Sequence, residues 1–265
     1  MRKQGEELDM SDDFEEVFGR VVGQGAQATV YAKGDYAVKL YREDYPKVNV
    51  FSEAYIMANL ERENFPCPKV YEVLCVNGRY GLRMERVNGK MMSEDLAVPE
   101  KFKETLKTLV KLQCNFQKNG NAAEWVPDLK IRLYNDLMRN DSLAAEIKKT
   151  LSEILAGLPD GQALCHCDFH AGNVFFDGTD YKIIDLLQLC KGDPAADAAC
   201  SYVSYAFIDL ELAEYYLECY CDMSSIPREN VMRWLPVYAG TLLGQLPEEY
   251  LPLTEQFINM CEKTE

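Results

Sequence analysis

The chain has 265 residues, 48% of them hydrophobic and 27% charged, which is ordinary for a globular protein of one large domain or two lobes. Its formal net charge of -15 disfavours nucleic acid and anionic membranes as partners, and suits a cationic substrate or a metal–nucleotide complex. No apolar stretch follows the acidic first residues, and no apolar run approaches the length of a membrane span, so we expect neither a secretory signal nor a membrane partner. The ten cysteines are scattered along the chain, so we expect reduced thiols in a cytoplasmic protein.

Residues 1–87 predict a small β-rich lobe, with five antiparallel strands and one helix. The turns Gly34-Asp35 and Asn77-Gly78 are typical of hairpins between such strands. The predicted elements, in chain order, are β structure with three strands across residues 14–42, a helix at 48–64, and strands at 70–76 and 80–87.

Residues 88–265 predict a larger, mainly helical lobe. The segment 100–118 carries an apolar stripe at helical spacing and ends at Asn119-Gly120, a plausible C-cap. The other predicted elements are helices at 129–139 and 142–156, a short hairpin at 173–184 and a largely helical stretch at 195–262. The fold class is therefore α+β with two lobes.

The segment Gly23-Gln24-Gly25-Ala26-Gln27-Ala28 predicts a phosphate-binding loop, because glycine lets the backbone approach phosphate oxygens closely. It also matches the dinucleotide-binding pattern G-x-G-x-x-A, which requires a helix directly after the loop. The following residues favour β structure, so a glycine flap between two antiparallel strands is the better interpretation. An ordinary glycine hairpin is the alternative.

Lys39 lies within the otherwise apolar strand 36–41 and needs a partner for its charge, which Glu53 on the following helix can supply. In kinases such a lysine contacts the nucleotide phosphates and is held by the glutamate. A solvent-facing lysine on an edge strand is the alternative.

The segment 166–173 contains both histidines of the chain and the spacing D-x-x-x-x-N at Asp168 and Asn173. In kinases this spacing joins a catalytic base to a metal-binding amide, and a later strand-end aspartate, here Asp185, also binds Mg²⁺. A structural zinc site is the alternative, although its ligands are too tightly spaced for a zinc knuckle. Those ligands would be Cys165, His166, Cys167 and His170.

These motifs resemble those of the aminoglycoside phosphotransferase and choline kinase-like family. Residues 164–174, LCHCDFHAGNV, resemble its HGDLHPGN signature, and residues 184–197 resemble its IDW…GDPxxDLA stretch. Cys167, Ala171 and Leu186 depart from the usual residues without removing a group that the transfer needs. The resemblance spans about residues 17–205 and implies a bilobal, protein-kinase-like fold that binds ATP, or alternatively GTP, with Mg²⁺ between its lobes.

The resemblance also implies the roles of individual residues. Asp168 would be the catalytic base, with Asn173 and Asp185 as Mg²⁺ ligands, and Lys39 would bind phosphate while Glu53 holds it. The remaining nucleotide-binding residues would be Gly23 and Gly25 in the loop and Met84, Glu85 and Val87 at the hinge.

The predicted enzyme is an ATP-dependent phosphotransferase that acts on a hydroxyl of a small molecule, such as an aminoglycoside, an amino alcohol or a sugar-like metabolite. A protein kinase is one alternative, although no long activation loop follows Asp185, and a catalytically weak pseudokinase is another. An acidic run could bind a cationic acceptor, or could be a solvated helix face. The run consists of Asp209, Glu211, Glu214 and Glu218.

Overall fold

The computed structural model describes residues 14–118 and 125–260 and forms two compact units. The first unit holds the described residues up to Lys90 together with Val174–Leu187. The second holds those from Met91 to Asn173 and from Gln188 onward. The predicted C-cap at Asn119-Gly120 lies outside the described residues.

The first unit contains a five-stranded antiparallel sheet in the order β1-β2-β3-β5-β4 and one long helix. β3, β4 and β5 agree with the predicted strands 36–41, 70–76 and 80–87 to within two residues, as expected for hairpins with strong turn signals. The elements are α1 (Phe14–Phe18), β1 (Arg20–Gln24), β2 (Ala28–Lys33), β3 (Tyr36–Tyr41), α2 (Lys47–Arg62), β4 (Val70–Val76) and β5 (Arg79–Glu85). A two-residue strand, β6 (Lys90–Met91), follows along the chain.

The beginning of this unit differs from the prediction, since residues 14–18 form a helix and not β structure. Phe14 and Phe18 lie one helical turn apart and both contact the ring of Tyr31, at centroid distances of 6.3 and 6.1 Å. Gly19, at a φ of +85°, ends the helix in a conformation that other residues rarely adopt. Tertiary packing on the sheet thus overrides the β structure predicted for residues 14–18.

The hairpin formed by β8 (Val174–Phe176) and β9 (Tyr181–Ile183) also belongs to the first unit, whereas the sequence places it in the lobe 88–265. The amide of Ile183 donates to the carbonyl of Pro66 at 2.8 Å. Lys182 forms an ion pair with Glu85 at 3.1 Å. These contacts join residues that are far apart in the sequence.

The second unit is mainly helical. A small sheet of β7 and β10 is its main β element, and the three-residue strands were too short to be predicted. Its core includes α7, in which most side chains are buried. The elements are α3 (Met92–Leu96), α4 (Phe102–Gln117), α5 (Leu129–Arg139), α6 (Ala145–Gly157), β7 (Ala163–Cys165), β10 (Cys190–Gly192), α7 (Pro194–Ala206), α8 (Leu210–Ser224), α9 (Arg228–Met232), α10 (Leu235–Leu242) and α11 (Leu251–Ile258).

Two properties hold over the described part of the chain. None of its helices combines the length and the apolar character that a membrane crossing requires. Its nine cysteines are all free thiols, and most of them are buried.

Candidate active site

The glycine-rich segment forms the turn between β1 and β2, where Gly23 pairs with Val30 and the amide of Gly25 donates to the carbonyl of Ala28 at 2.9 Å. Because a strand follows the turn, the dinucleotide-binding alternative does not apply. A Cβ atom on Gly23 or Gly25 would meet its nearest neighbour at 3.6 or 3.7 Å, an ordinary contact. The packing of the hairpin therefore does not require these glycines, and their binding role stays a prediction.

The structure brings Lys39 of β3 together with two carboxylates. Its Nζ atom lies 2.8 Å from Oε1 of Glu53 on α2 and 3.0 Å from Oδ1 of Asp185, which follows β9. Burial alone would lower the pKa of Lys39, but the two carboxylates outweigh that effect and raise the pKa above its usual value. Lys39 is therefore a fixed cation whose position is set by both partners.

Asp185 itself has a left-handed backbone conformation, with a φ of +60°. Aspartate adopts this conformation more readily than most residues with a Cβ, and non-glycine residues held in it are concentrated at functional sites. Its side chain is 46% exposed, so a ligand can reach it.

Sequence reasoning missed Tyr41, whose hydroxyl donates to Oε2 of Glu53. Tyr41 is buried and its ring stacks on that of Tyr45, with 4.5 Å between centroids. Burial, followed by the charge of Glu53, raises the pKa of Tyr41 well above its usual value. Tyr41 lies two positions after Lys39 in the same strand, so the strand period already places both side chains on one face.

The predicted hinge lies at the end of β5. The amide of Glu85 donates to the carbonyl of Lys69 at 2.8 Å, and that of Arg86 donates to Asp35 at 3.0 Å. Among the described residues, none accepts a hydrogen bond from the amide of Val87. Among the residues predicted to form the hinge, Val87 therefore has an available backbone donor.

In the second unit, the loop that follows β7 carries Asp168. The amide nitrogen of Asn173 donates to the carbonyl of Asp168 at 2.9 Å and to its Oδ2 atom at 3.2 Å. Nδ1 of His170 accepts from the amide of Gly172 at 3.0 Å, and its Nε2 atom lies 3.2 Å from the amide nitrogen of Asn173 and 3.5 Å from Oδ1 of Asp168. The loop thus orients the carboxylate of Asp168 through Asn173, as a general base requires.

Asn173 is turned so that its amide nitrogen faces Asp168. No hydrogen bond from another described residue reaches its Oδ1 atom, which is therefore available to a cation. An amide oxygen and a carboxylate, such as that of Asp185, are the hard oxygen ligands that Mg²⁺ prefers. The donor types of these two residues therefore fit Mg²⁺.

The zinc alternative finds little support in the described residues, where no three His, Cys, Asp or Glu side chains form a group that could hold a metal. The buried ring of His166 packs against Phe116 and Phe169, at centroid distances of 5.7 and 5.6 Å. It braces the loop from within the core.

A buried carboxylate, Asp197 of α7, holds the same loop by its backbone. Its Oδ1 atom accepts from the amide of Cys167 at 2.7 Å. Its Oδ2 atom accepts from the side-chain amides of Gln113 and Gln117 at 2.9 and 2.8 Å. The sequence pattern includes Asp197 in the stretch that resembles GDPxxDLA but indicates no role for it. It does not indicate that Gln113 and Gln117 contact Asp197.

We expect Asp197→Asn to lower the free energy of unfolding by about 2–3 kcal/mol, because the new amide group would face other donors inside the core. Gln113 and Gln117 cannot simply rotate to accept, since their carbonyl oxygens already accept from the hydroxyls of Tyr216 and Tyr220. Urea denaturation measures the loss. Asp209→Asn is the matched control, because asparagine replaces aspartate well at the exposed N-cap of α8, and an equal loss in both variants would contradict this account.

The acidic run on α8 is only partly free to bind a cation. Asp209 caps the helix by accepting from the amide of Leu212 at 2.9 Å. Glu214 forms an ion pair with Arg228 at 2.7 Å, which lowers the pKa of Glu214. Glu211 and Glu218 are exposed, and both line an open cleft of about 570 Å³.

Comparison with known proteins identifies the family of this chain. A search of curated proteins found no match. Among solved structures, an aminoglycoside-3'-phosphotransferase of type VIII is similar at 19% identity and a TM-score of 0.63, covering 84% of this chain and 92% of that chain. A choline kinase from Streptococcus pneumoniae is similar at 15% identity and a TM-score of 0.59, covering 91% of each chain.

A third similar structure is an aminoglycoside phosphotransferase from Streptomyces rimosus in complex with ADP and streptomycin, at 18% identity and a TM-score of 0.61. It covers 87% of this chain and 96% of that chain. These likenesses confirm the predicted kinase-like fold. The model of the "Phosphotransferase enzyme family" matches residues 19–235, which also confirms the predicted class of enzyme, a small-molecule kinase. The chain belongs to the phosphotransferase enzyme family.

Proposed function

We propose that this enzyme transfers the γ-phosphate of ATP to a hydroxyl group of a small, cationic molecule, with Asp168 as the general base. The observation that carries the proposal is the fixed cation of Lys39, held by Glu53 and Asp185 at 2.8 and 3.0 Å. A half-buried lysine held in this way supplies positive charge at a constant position, which is what phosphoryl transfer requires of a protein.

Each of the proposed site residues has a distinct role in this transfer. Asp168 accepts the proton of the attacking hydroxyl, and Asn173 fixes the carboxylate in place through the bonds described above. Lys39 binds phosphate oxygens, and the amide of Val87 donates to the base of the nucleotide. Mg²⁺ would be held by Asn173 and Asp185 and, when bound, would offset negative charge on the phosphates.

The stretch after Asp185 distinguishes this proposal from a protein kinase. It consists of a single turn of 3-10 helix at Leu186–Gln188 and the strand β10, and α7 then begins at Pro194. No long activation segment, on which a protein substrate could lie, occurs within these described residues. A small molecule is therefore the better acceptor.

A cationic acceptor is favoured by the net charge of -15 and by the exposed carboxylates of Glu211 and Glu218. Choline and its neutral isostere dimethylbutanol form a matched pair that differs only in charge. If carboxylates recognise the acceptor, the cation is expected to have a KM lower by about tenfold, which corresponds to about 1.4 kcal/mol. Equal KM values for the two compounds would show that the charge of the acceptor is not recognised, while the proposed phosphate transfer would still stand.

The main test is a phosphate-transfer screen. Purified protein is incubated with ATP or GTP, with and without Mg²⁺, and with aminoglycosides, amino alcohols and sugars, while ADP or GDP release is measured. Release that depends on one acceptor is expected. Calorimetry that detects no nucleotide binding would refute the proposal at its first step.

We also propose a cytoplasmic location, which the free thiols support.

A further inference from the structure

Both oxygens of the buried Glu53 carboxylate are held from a single strand. Nζ of Lys39 lies 2.8 Å from Oε1, and the hydroxyl of Tyr41 donates to Oε2. Lys39 and Tyr41 are two positions apart in β3, so their side chains leave the same face of the sheet. The side chain of Glu53 is 3% exposed, and these two groups are its hydrogen-bond donors among the described residues. The position of this carboxylate is therefore set by β3, although Glu53 itself lies on α2.

The side chain of Tyr41 is fixed independently of Glu53. Its ring is buried and stacks on the ring of Tyr45, with 4.5 Å between the centroids and 12° between the planes. Its carbonyl oxygen accepts from Nε of Arg79 on β5 at 2.8 Å. A tyrosine side chain also has fewer rotatable bonds than glutamate or lysine. The hydroxyl of Tyr41 is therefore a donor at a constant position, against which Glu53 is aligned.

Lys39 alone cannot fix Glu53 in the same way. Its ammonium group carries rotatable donors on a flexible stem, and it also contacts Oδ1 of Asp185 at 3.0 Å. Asp185 is exposed, so the lysine has a partner on the solvent side as well as one in the core. A glutamate that accepts at one oxygen can still turn about that contact, while one that accepts at both oxygens cannot. The hydroxyl of Tyr41 therefore keeps Oε1 of Glu53 directed at Lys39.

We propose that Tyr41 is a positioning residue for phosphate binding, which fixes Glu53 so that Glu53 holds Lys39 toward the phosphates of the nucleotide. The inference rests on the proposed function, in which Lys39 binds phosphate oxygens. Packing by itself does not account for the hydroxyl, since phenylalanine would stack on Tyr45 and fill the same space. A buried hydroxyl is costly without a partner, and the carboxylate of Glu53 is the partner that accepts from it.

Removal of the hydroxyl is expected to change how firmly Lys39 is held. In Tyr41→Phe one buried oxygen of Glu53 loses its donor, so the side chain turns toward other donors, and its contact with Lys39 forms in a smaller fraction of the molecules. A ligand that needs this contact binds more weakly by the inverse of that fraction. The loss of one hydrogen bond to a charged group corresponds to a change of about tenfold.

The first test compares two ligands of the proposed nucleotide site. Calorimetry of Tyr41→Phe is expected to show about tenfold weaker binding of ATP with Mg²⁺, but a change of less than about twofold for adenosine, which has no phosphates. A merely structural role of Tyr41 predicts an equal loss for both ligands, because damage to the fold acts on the whole nucleotide. That result, or unchanged binding of ATP, would overturn the inference alone. An original chain that binds no ATP would instead refute the proposed function, and this inference with it.

Tyr36→Phe is the matched control. Tyr36 lies in the same strand but on its other face, where the guanidinium carbon of Arg83 is 4.2 Å from the centroid of its ring. The substitution removes the same group without touching Glu53, so binding of ATP is expected to stay within about twofold of the original chain. A loss equal to that in Tyr41→Phe would show a general sensitivity of β3, and the role assigned to Tyr41 would be refuted.

A double variant tests whether Tyr41 acts through Glu53. Tyr41→Phe is expected to weaken ATP binding by about tenfold in the original chain but by less than about twofold in Glu53→Gln, where the ion pair is already absent. Because neither Glu53→Gln variant contains a buried charge at this position, their comparison still tests the coupling if Tyr41→Phe alone does not fold. Equal losses in the two backgrounds would show that Tyr41 acts on Lys39 directly, through the ring that lies 5.4 Å from its Nζ atom, and would overturn the proposal.

Discussion

Replacement of Asp168 by asparagine is expected to lower kcat by about 10²–10⁴-fold, because the variant cannot accept the proton of the acceptor hydroxyl. The change preserves the size of the side chain. Asn173 can still donate to its carbonyl oxygen, so the loop is expected to keep its conformation. The KM for ATP is expected to change little, since Asp168 acts on the acceptor.

Steady-state ADP release gives kcat, and calorimetry gives the affinity for nucleotide. Asp222→Asn serves as the control, because Asp222 is an exposed carboxylate of the same unit, on α8. The assignment of the base is wrong if Asp168→Asn turns over as fast as this control. A loss of nucleotide binding together with kcat would instead indicate a general disruption of the fold.

The second large effect is expected at Lys39. Lys39→Met should lower kcat/KM for ATP by about 10²–10³-fold, the usual cost of one positioned donor to a developing charge. It should also reduce the free energy of unfolding, because the buried carboxylate of Glu53 loses the cation that compensates it. Among the described residues, the hydroxyl of Tyr41 would then be the remaining side-chain donor to the carboxylate of Glu53.

A double variant separates the two consequences. Lys39→Met with Glu53→Gln removes the uncompensated charge, so its thermal stability is expected to recover toward that of the original chain while its activity stays low. Lys47→Met controls for the loss of an exposed lysine in the same unit. Activity that recovers together with stability would show that Lys39 has no direct role with the phosphates.

The elements with strong local signals were predictable from the sequence. Helix α5 occupies residues 129–139 as predicted, since its apolar stripe and its N-cap, Asp128, are local features. The order of the motifs also indicated that Lys39 and Glu53 would meet. The role of each of these residues in catalysis stays a prediction until the variants are measured.

The contacts that the sequence did not indicate are those between distant segments. Gln113 and Asp197 lie 84 residues apart in the sequence. The pattern of an amphipathic helix does not indicate which residue a buried glutamine contacts. The pairing of Cys165 with Cys190 likewise depends on two strands of three residues each, too short to show a period. The helix at Phe14–Phe18 formed against a β pattern because its phenylalanines pack on Tyr31.

The hairpin β8–β9 has a consequence for the order in which the protein is made. The first unit includes residues 174–187, yet the ribosome supplies them only after the whole of the segment 91–173, which belongs to the second unit. Until then Lys39 has no Asp185, and Glu85 has no Lys182. The five-stranded sheet already has all its strands at Glu85, but Lys39 acquires its second carboxylate only after a further 100 residues, at about 5–20 residues per second.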